Sequence, residues 1–384
     1  ECGGGRVTNI RHEPPAVAAD PAAAADGAPI VVGRSRVATV LLHLLGHSWI
    51  ALLLAFVVSL PVGLVLVVST GADPGKVVGV TFEATVGTTN GIVNTLVYAT
   101  PRLFVALGAI VALRCGLFNM GGEGQLQFGA VGAVLGGYYL GRFLPAPLGL
   151  VAALLGAALL GGLWAVLAAL FKLWRGTDEM IVTLLMNFVA TYFVLFLLQG
   201  PLREADSSYN QSERIPDAAH LPRLFDTRLH LGVLLVAAMV VAVWFLFSRT
   251  RRGLEMRSVG LNPIASRYQG LPIRGLLVGG MILSGAIAGL AGANEVLGTQ
   301  YRLIQGFSAG YGFEGLAIAF LAGLQPGRAA VLAVVFGAIY SAASSLQQSV
   351  GVSASIAYVI EGVPIVLLAA FSGVQSLMAR RRRG

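Results

Sequence analysis

Long apolar runs alternate with short polar or glycine-rich breaks along most of this chain. A run of about 20 apolar residues is long enough to cross a bilayer as a helix. By that measure the pattern predicts ten spans: 49–70, 94–112, 124–141, 143–171, 180–198, 229–247, 275–294, 307–324, 329–346 and 356–374. Pro101 predicts a kink in the second. The eighth is composite: 315–324 is too short to cross alone, so it is expected to join 307–314 and cross as a broken helix. The expected fold is therefore all-α, a polytopic membrane protein of about ten transmembrane helices with broken or re-entrant segments. A short echo between "GGEGQLQFGA" (121–130) and "GFEGLAIAFLAG" (312–323) suggests two related halves, as transporters often have.

Charge orients these spans. Arginine supplies 24 of the 26 basic residues, and there are 18 acids. The segment "SRTRRGLEMRSVGLNPIASRYQGLPIRG" carries Arg249, Arg251, Arg252, Arg257, Arg267 and Arg274. The chain ends in "ARRRRG", and Arg6, Arg11, Arg34 and Arg36 precede the first span. Placing all three regions in the cytoplasm obeys the positive-inside rule and requires an even number of spans. The 201–228 loop, with Glu204, Asp206, Glu213, Asp217 and Asp226, then lies outside. Residues 1–36, rich in Ala, Pro, Gly and Asp, are expected to be a disordered cytoplasmic tail. The transmembrane domain occupies 37–375, and 376–384 forms a basic cytoplasmic tail.

Composition narrows the function. Hydrophobic residues make up 56% of the chain and charged residues 11%; a soluble chain carries about 25% charged residues, so most of this surface does not face water. The basic excess sits between apolar runs, which favours membrane orientation over nucleic acid as its cause. Two cysteines and five scattered histidines have no metal-ligand spacing, and no catalytic constellation is apparent. No metal or other cofactor is expected. The chain lacks G-x-x-x-x-G-K-[ST], so any ATP used must be hydrolysed by a partner. Transport is the leading class. A charge near the bilayer centre costs about 3 kcal/mol, yet Glu123, Glu295, Glu314 and Glu361 lie in or beside spans. Such residues line a watery path, satisfy helix ends, or pair with Arg102 or Arg302. Small residues at Gly285, Gly289 and Ala293 allow close helix packing.

Two segments carry the specific signal. "CGLFNMGGEGQLQFGA" (115–130) places Asn119, Glu123, Gln125 and Gln127 among glycines in apolar surroundings. Irregular backbone is tolerated at membrane depth only where protein or a water-filled cavity covers it. These groups are thus expected either to cap broken helix ends or to meet a polar solute. In the arginine segment, 254–259 is expected to be helical and Gly260 to break the helix. Asn262 should cap a second short helix with Pro263 at its first position, and Gly270 should end it. Helices of this kind, lying along a membrane surface, suit docking into a groove of a cytoplasmic protein.

Here the chain resembles a known family. "RSVGLNPIASRYQGLPI" resembles the ATPase-coupling loop of bacterial ATP-binding-cassette (ABC) importer permeases of the branched-chain amino acid, ribose and nucleoside group. "GLFNMGGEGQLQFGA", "DEMIVTLLMNFVATYF", "LSGAIAGLAGANEVLG" and "GYGFEGLAIAFLAGLQPGRA" resemble further stretches of that family in the same order, and the first is most typical of the nucleoside and simple-sugar branch. Ser266 stands where a second alanine is usual, Glu314 where Asp is typical, and Arg102 where an apolar residue is expected. The resemblance implies a bacterial plasma-membrane permease subunit, itself not an enzyme, with both termini cytoplasmic. Its implied partners are a cytoplasmic ABC ATPase, a second and different permease subunit, an extracytoplasmic substrate-binding protein and the membrane lipid. It implies coupling through 249–274, with Gly253, Arg257, Gly260, Asn262, Pro263, Ala265, Arg267 and Gly270 as contact residues. Nucleosides are the expected solute, with ribose-like sugars or branched-chain amino acids as alternatives. Asn119, Glu123, Gln125, Asn187, Asn294 and Glu361 would supply polar groups along the path, and Phe118, Phe188 and Tyr192 its walls. An ion-driven secondary transporter, with Glu123 or Glu361 as the ion site, is the alternative from another class.

Overall fold

The computed structural model describes residues 71–351 except Asp206 and Ala309, together with residues 65, 67–69, 362, 363 and 366. Eleven α-helices carry the described chain: α1 Pro74–Phe82, α2 Thr89–Arg114, α3 Gly122–Val134, α4 Ala146–Arg175, α5 Glu179–Gln199, α6 Gly232–Arg249, α7 Arg251–Leu261, α8 Pro263–Tyr268, α9 Ile273–Asn294, α10 Tyr311–Leu321 and α11 Pro326–Val350. Three π-helical turns extend α1, α3 and α9: Glu83–Gly87, Leu135–Leu140 and Glu295–Gln300. Among the described residues no strand forms; only isolated bridges occur.

Six helices, α2, α4, α5, α6, α9 (through Gln300) and α11, are long and apolar enough to cross a membrane. The expected ten spans are therefore not all present as such. The runs 49–70 and 356–374 lie essentially outside the described residues. The eighth run contains an 11-residue helix, α10, preceded by irregular chain at 301–308 and at Gly310. At ~1.5 Å per residue α10 is about 16 Å long, roughly half a bilayer core. The third run begins two residues early, at Gly122, and its 13-residue α-helix finishes in the π turn. The fourth starts at Ala146 because Gly141–Phe143 forms a 3-10 turn and Pro145 caps the helix. The pattern also did not anticipate α1, whose N-cap Asp73 accepts hydrogen bonds from Gly75 and Lys76.

Burial identifies the centre of the bundle. In α2, 83% of the most apolar window is buried, against 28% in α4 and α5 and 22% in α6. Phe104, Leu107 and Ile110 of α2 are fully enclosed, and Ile287 of α9, Ile318 of α10 and Phe336 of α11 join them in one core. The axis helix runs through Pro101 without ending. Around it, α9 packs along α4, α2 and α3.

Glycine makes the closest crossings possible, as the small-residue spacing predicted. A Cβ on Gly289 would strike the Ala157 carbonyl of α4 and lie 3.1 Å from the Gly161 Cα. One on Gly129 of α3 would fall on the Gly289 backbone. Backbone-to-backbone contact of this kind cannot relax by turning a side chain. Gly279, ten residues earlier in α9, has nothing within 4 Å. Gly289→Ala should therefore destabilise the purified chain by about 1–3 kcal/mol through overpacking. Gly279→Ala should leave its thermal midpoint unchanged or slightly raised. Equal midpoints for the two variants would contradict this packing.

Candidate functional site

Between α2 and α3 the chain leaves helical geometry at Cys115 and resumes it at Gly122. Leu117, Asn119 and Gly121 in this break are buried. Backbone groups buried outside a helix need partners, and α5 supplies them from residues spaced four apart along one face. Glu179 Oε1 accepts from Phe118 N at 3.3 Å, and Thr183 Oγ1 accepts from Met120 N at 3.1 Å. Asn187 does two jobs: its Oδ1 accepts from Gly124 N at 2.8 Å, and its Nδ2 donates to Met120 O at 2.8 Å. Thr191 Oγ1 continues the row by accepting from Gln127 Nε2 at 3.0 Å. The Glu179 carboxylate is anchored in turn by Lys172 Nζ at 2.6 Å.

The break also braces itself. Asn119 and Gln125 form a reciprocal amide pair with both distances 3.0 Å. Asn119 Nδ2 also donates to Ser284 Oγ of α9 at 2.9 Å, and its Oδ1 accepts from Gly121 N at 2.9 Å. Both N–H groups of the Asn119 amide and both acceptor positions of its oxygen are thus engaged within the chain.

The two echoed motifs meet at their helix starts. Glu123 and Glu314 occupy equivalent places in the echo, and each lies in the first turn of its helix. Glu123 Oε2 accepts from Gly312 N at 2.8 Å, satisfying one of the donors that α10 leaves open at its N-terminus. Its other oxygen accepts from Gln127 Nε2 at 3.4 Å. Gly122 and Gly312 allow this approach: a Cβ on Gly312 would lie 2.5 Å from the Glu123 Cα. Glu314 pairs with Arg102, whose side chain is fully buried in α2. The guanidinium also donates from Nη1 to Tyr98 O at 2.7 Å and lies between the rings of Tyr311 and Tyr340, at 4.8 and 4.6 Å from their centroids. The charge at position 102, unexplained in the sequence, thus links α2 to α10 and α11.

The remaining candidates separate. Asn294 is buried beside Gly232 and His230, away from the amide pair; neither its Oδ1 nor its Nδ2 has a hydrogen-bond partner among the described residues. Phe118 is half-buried, whereas Phe188 and Tyr192 are exposed on α5. Glu361 lies outside the described residues. Sequence reasoning missed Glu179, Thr183, Ser284, Tyr311 and Tyr340. The first two were detectable, because Glu179, Thr183, Asn187 and Thr191 repeat every fourth residue in an otherwise apolar helix. The tyrosine pair had no such signal.

At the arginine-bearing end, α7 and α8 form the expected two-helix segment. Thr250 caps α7, accepting from Gly253 N at 3.0 Å. Asn262 caps α8, its Oδ1 accepting from Ile264 N at 3.1 Å and Ala265 N at 3.0 Å, with Pro263 first in the helix. Gly270, at φ +74°, follows the end of α8. One expectation fails: Gly260 does not break the first helix, which runs to Leu261. Its missing side chain lets α7 lie on the turn that ends α2, where a Cβ would strike the Arg114 carbonyl and sit 2.8 Å from Gly116 N. Gly253 is buried against the end of α6, whereas Arg257, Ala265 and Arg267 are exposed. Leu254, Leu261, Ile264 and Tyr268 expose apolar surface around them.

Among the described residues no group of three His, Cys, Asp or Glu side chains could hold a metal. Long apolar helices, a broken crossing satisfied from within, and a capped helix pair at one end define a multi-pass membrane transport component. The chain belongs to the branched-chain amino acid transport system permease component family, whose model matches residues 91–369. It is therefore an ABC importer permease, a transport subunit rather than an enzyme. It is 32% identical to a glucose ABC transporter permease of Haloferax volcanii, over 84% of this chain and 88% of that one. It is 30% identical to a guanosine ABC transporter permease of Bacillus subtilis (86% and 96%) and 28% identical to a nucleoside ABC transporter permease of Lactococcus lactis (83% and 89%).

Two outcomes test this geometry. Removing one partner of a buried ion pair costs about 3–5 kcal/mol, whereas removing both costs much less. Arg102→Leu should thus strongly lower the yield and thermal midpoint of the folded chain, and Arg102→Leu with Glu314→Leu should recover part of the loss; additive losses would exclude the coupling. Glu123→Gln keeps an acceptor for Gly312 N and should retain most stability. Glu123→Leu strands that donor and should cost about 1–3 kcal/mol. A thermal melt in which the two Glu123 variants match would refute the capping role.

Proposed function

We propose that this permease imports nucleosides and is driven by a separate ATPase that engages the 249–274 segment. What carries the coupling part is the construction of α7 and α8. Each is capped by its own side chain, α7 is seated on α2 through Gly260, and together they present Leu254, Leu261, Ile264 and Tyr268 with Arg257 and Arg267. An apolar and basic helix pair firmly attached to the bundle can transmit a push. In this reading the arginine-bearing end faces the cytoplasm, as the positive-inside rule prefers. Two ATPase domains close on ATP and move the α7–α8 segments of this chain and a second, related permease subunit. An extracytoplasmic binding protein delivers the solute, and hydrolysis resets the path.

Support for nucleosides is the "GLFNMGGEGQ" and "MIVTLLMN" resemblance, together with two relatives named as guanosine and nucleoside permeases. A nucleoside has an apolar base and a hydroxyl-rich ribose. Phe188 and Tyr192 offer exposed aromatic surface, and Asn294 retains hydrogen-bonding capacity. Asn119, Glu123, Gln125 and Asn187 act here by shaping the broken segment, their hydrogen bonds being directed to the chain itself. A sugar is the second reading, because one relative is named as a glucose permease.

Labelled uridine or adenosine should enter cells carrying the intact transport genes and not cells lacking this one, while glucose, ribose and leucine uptake stays unchanged. Dependence of glucose uptake alone would replace the substrate and leave the permease role standing. Gly260→Val with Asn262→Ala should leave the chain folded in the membrane yet lower both ATPase co-purification and uptake at least about tenfold, since seat and cap are lost together. Normal co-purification and uptake would remove the 249–274 segment from the coupling role.

A further inference from the structure

Glu295 is a buried carboxylate that the bundle does not pair. It is 3% exposed. Among the described residues no hydrogen bond or ion pair reaches it, and Arg102 and Arg228 act on it through charge alone. It opens the π turn that extends α9. Thr299 follows four residues later, and its Oγ1 is buried without a hydrogen-bond partner. Asn294, just before the turn, has both amide atoms unpartnered. Neighbouring elements fix the orientation. A Cβ on Gly298 would lie 2.7 Å from His230 Nε2, and one on Gly232 would strike Asn294 Oδ1. Positions 294 and 298 therefore face the start of α6. Positions 295 and 299, one residue further round, share a second face, where Glu295 lies within electrostatic reach of Arg102 and Tyr311.

We propose that Glu295 and Thr299 receive the ribose diol of a passing nucleoside, the carboxylate accepting from the 2′ and 3′ hydroxyls and Thr299 Oγ1 donating to one of their oxygens. This rests on the nucleoside reading above and assigns it a contact. Buried polar groups are paired with few exceptions, so a carboxylate, a hydroxyl and an amide left open around one turn call for a ligand. π turns inside α-helices are frequent at functional sites. An ionised carboxylate only accepts, through two oxygens, and so suits two adjacent O–H donors. Acidic side chains take the ribose 2′ hydroxyl in dinucleotide sites by the same chemistry. A cation would also suit a carboxylate, but Arg102 and Arg228 already place positive charge around Glu295 and would repel it. Neutral hydroxyls meet no such repulsion. The edge of the base differs from one nucleoside to another, whereas the diol is common to ribonucleosides. Glu295 is enclosed in the arrangement described here, so the contact forms as the path opens.

Uptake at saturating solute, in cells carrying the intact transport genes, tests the contact, because a fully loaded delivery protein no longer selects between solutes. The solutes compared are uridine, guanosine and 2′,3′-dideoxyuridine, which lacks both hydroxyls. Glu295→Gln should slow uridine and guanosine at least about tenfold, the worth of a hydrogen bond to a charged group, and 2′,3′-dideoxyuridine less than about twofold. Thr299→Val, of similar shape, should slow uridine about threefold and spare the dideoxy compound. The amount of each variant in the membrane, and its thermal midpoint, should match the unaltered chain. If Glu295→Gln does not accumulate there, the Thr299→Val ratio decides. Equal slowing of uridine and the dideoxy compound would show a structural role and overturn the assignment alone. A loss confined to guanosine would move the contact to the base edge and overturn the diol. Uridine uptake that does not depend on this gene would bring down the nucleoside reading, and the assignment with it.

Discussion

A bilayer interior offers no water to a backbone that leaves its helix, and the 115–121 break obliges the rest of this bundle to compensate. The solution is a row of side chains on α5, with Glu179, Thr183, Asn187 and Thr191 at every fourth position, facing the break and the first turns of α3. For the row to reach, α5 must lie against the break in one rotational setting. For the setting to hold, Lys172 at the end of α4 must anchor Glu179. Ser284 of α9 then closes the opposite side through Asn119. One local departure from helical geometry thus sets the mutual placement of α3, α4, α5 and α9.

The same logic operates at the second break, before α10. Its open N-terminus takes a carboxylate from the start of α3, and its own first-turn carboxylate takes Arg102 from the axis helix. The starts of α3 and α10 therefore meet over the central helix, each contributing a glutamate. Charges here are placed where helix ends and a guanidinium can pair them, which reduces the expense of burying them.

At the arginine-bearing end, glycine again decides the outcome. Gly260 brings α7 to within backbone contact of the turn that ends α2, so the capped pair is seated on the axis helix of the bundle. Arg114, at the end of that same axis helix, is fixed by the Leu324 carbonyl, linking this junction to the turn that precedes α11.

Much of this could be read from residue order. Hydrophobic run length located the long helices, and the spacing of small residues marked α9 as a helix that packs closely. Asn262, Pro263 and Gly270 announced a short capped helix, because caps and stops are local chemistry. The glycine-rich stretch at 115–130 was legible as a break for the same reason. Partnership was not legible. Gly260 looked like a helix breaker, since sequence cannot distinguish a glycine needed for backbone freedom from one needed for close approach. Arg102 was only one possible partner for four glutamates, and nothing in residue order chose Glu314, since it and the two tyrosines lie more than 200 residues away in the chain. From residue order the polar groups at 119–127 could have faced the protein or a solute. Only the tertiary structure, by bringing α5 and α10 alongside, determined which hydrogen bonds they make, because a buried polar group is satisfied by whichever elements packing places within about 3 Å of it.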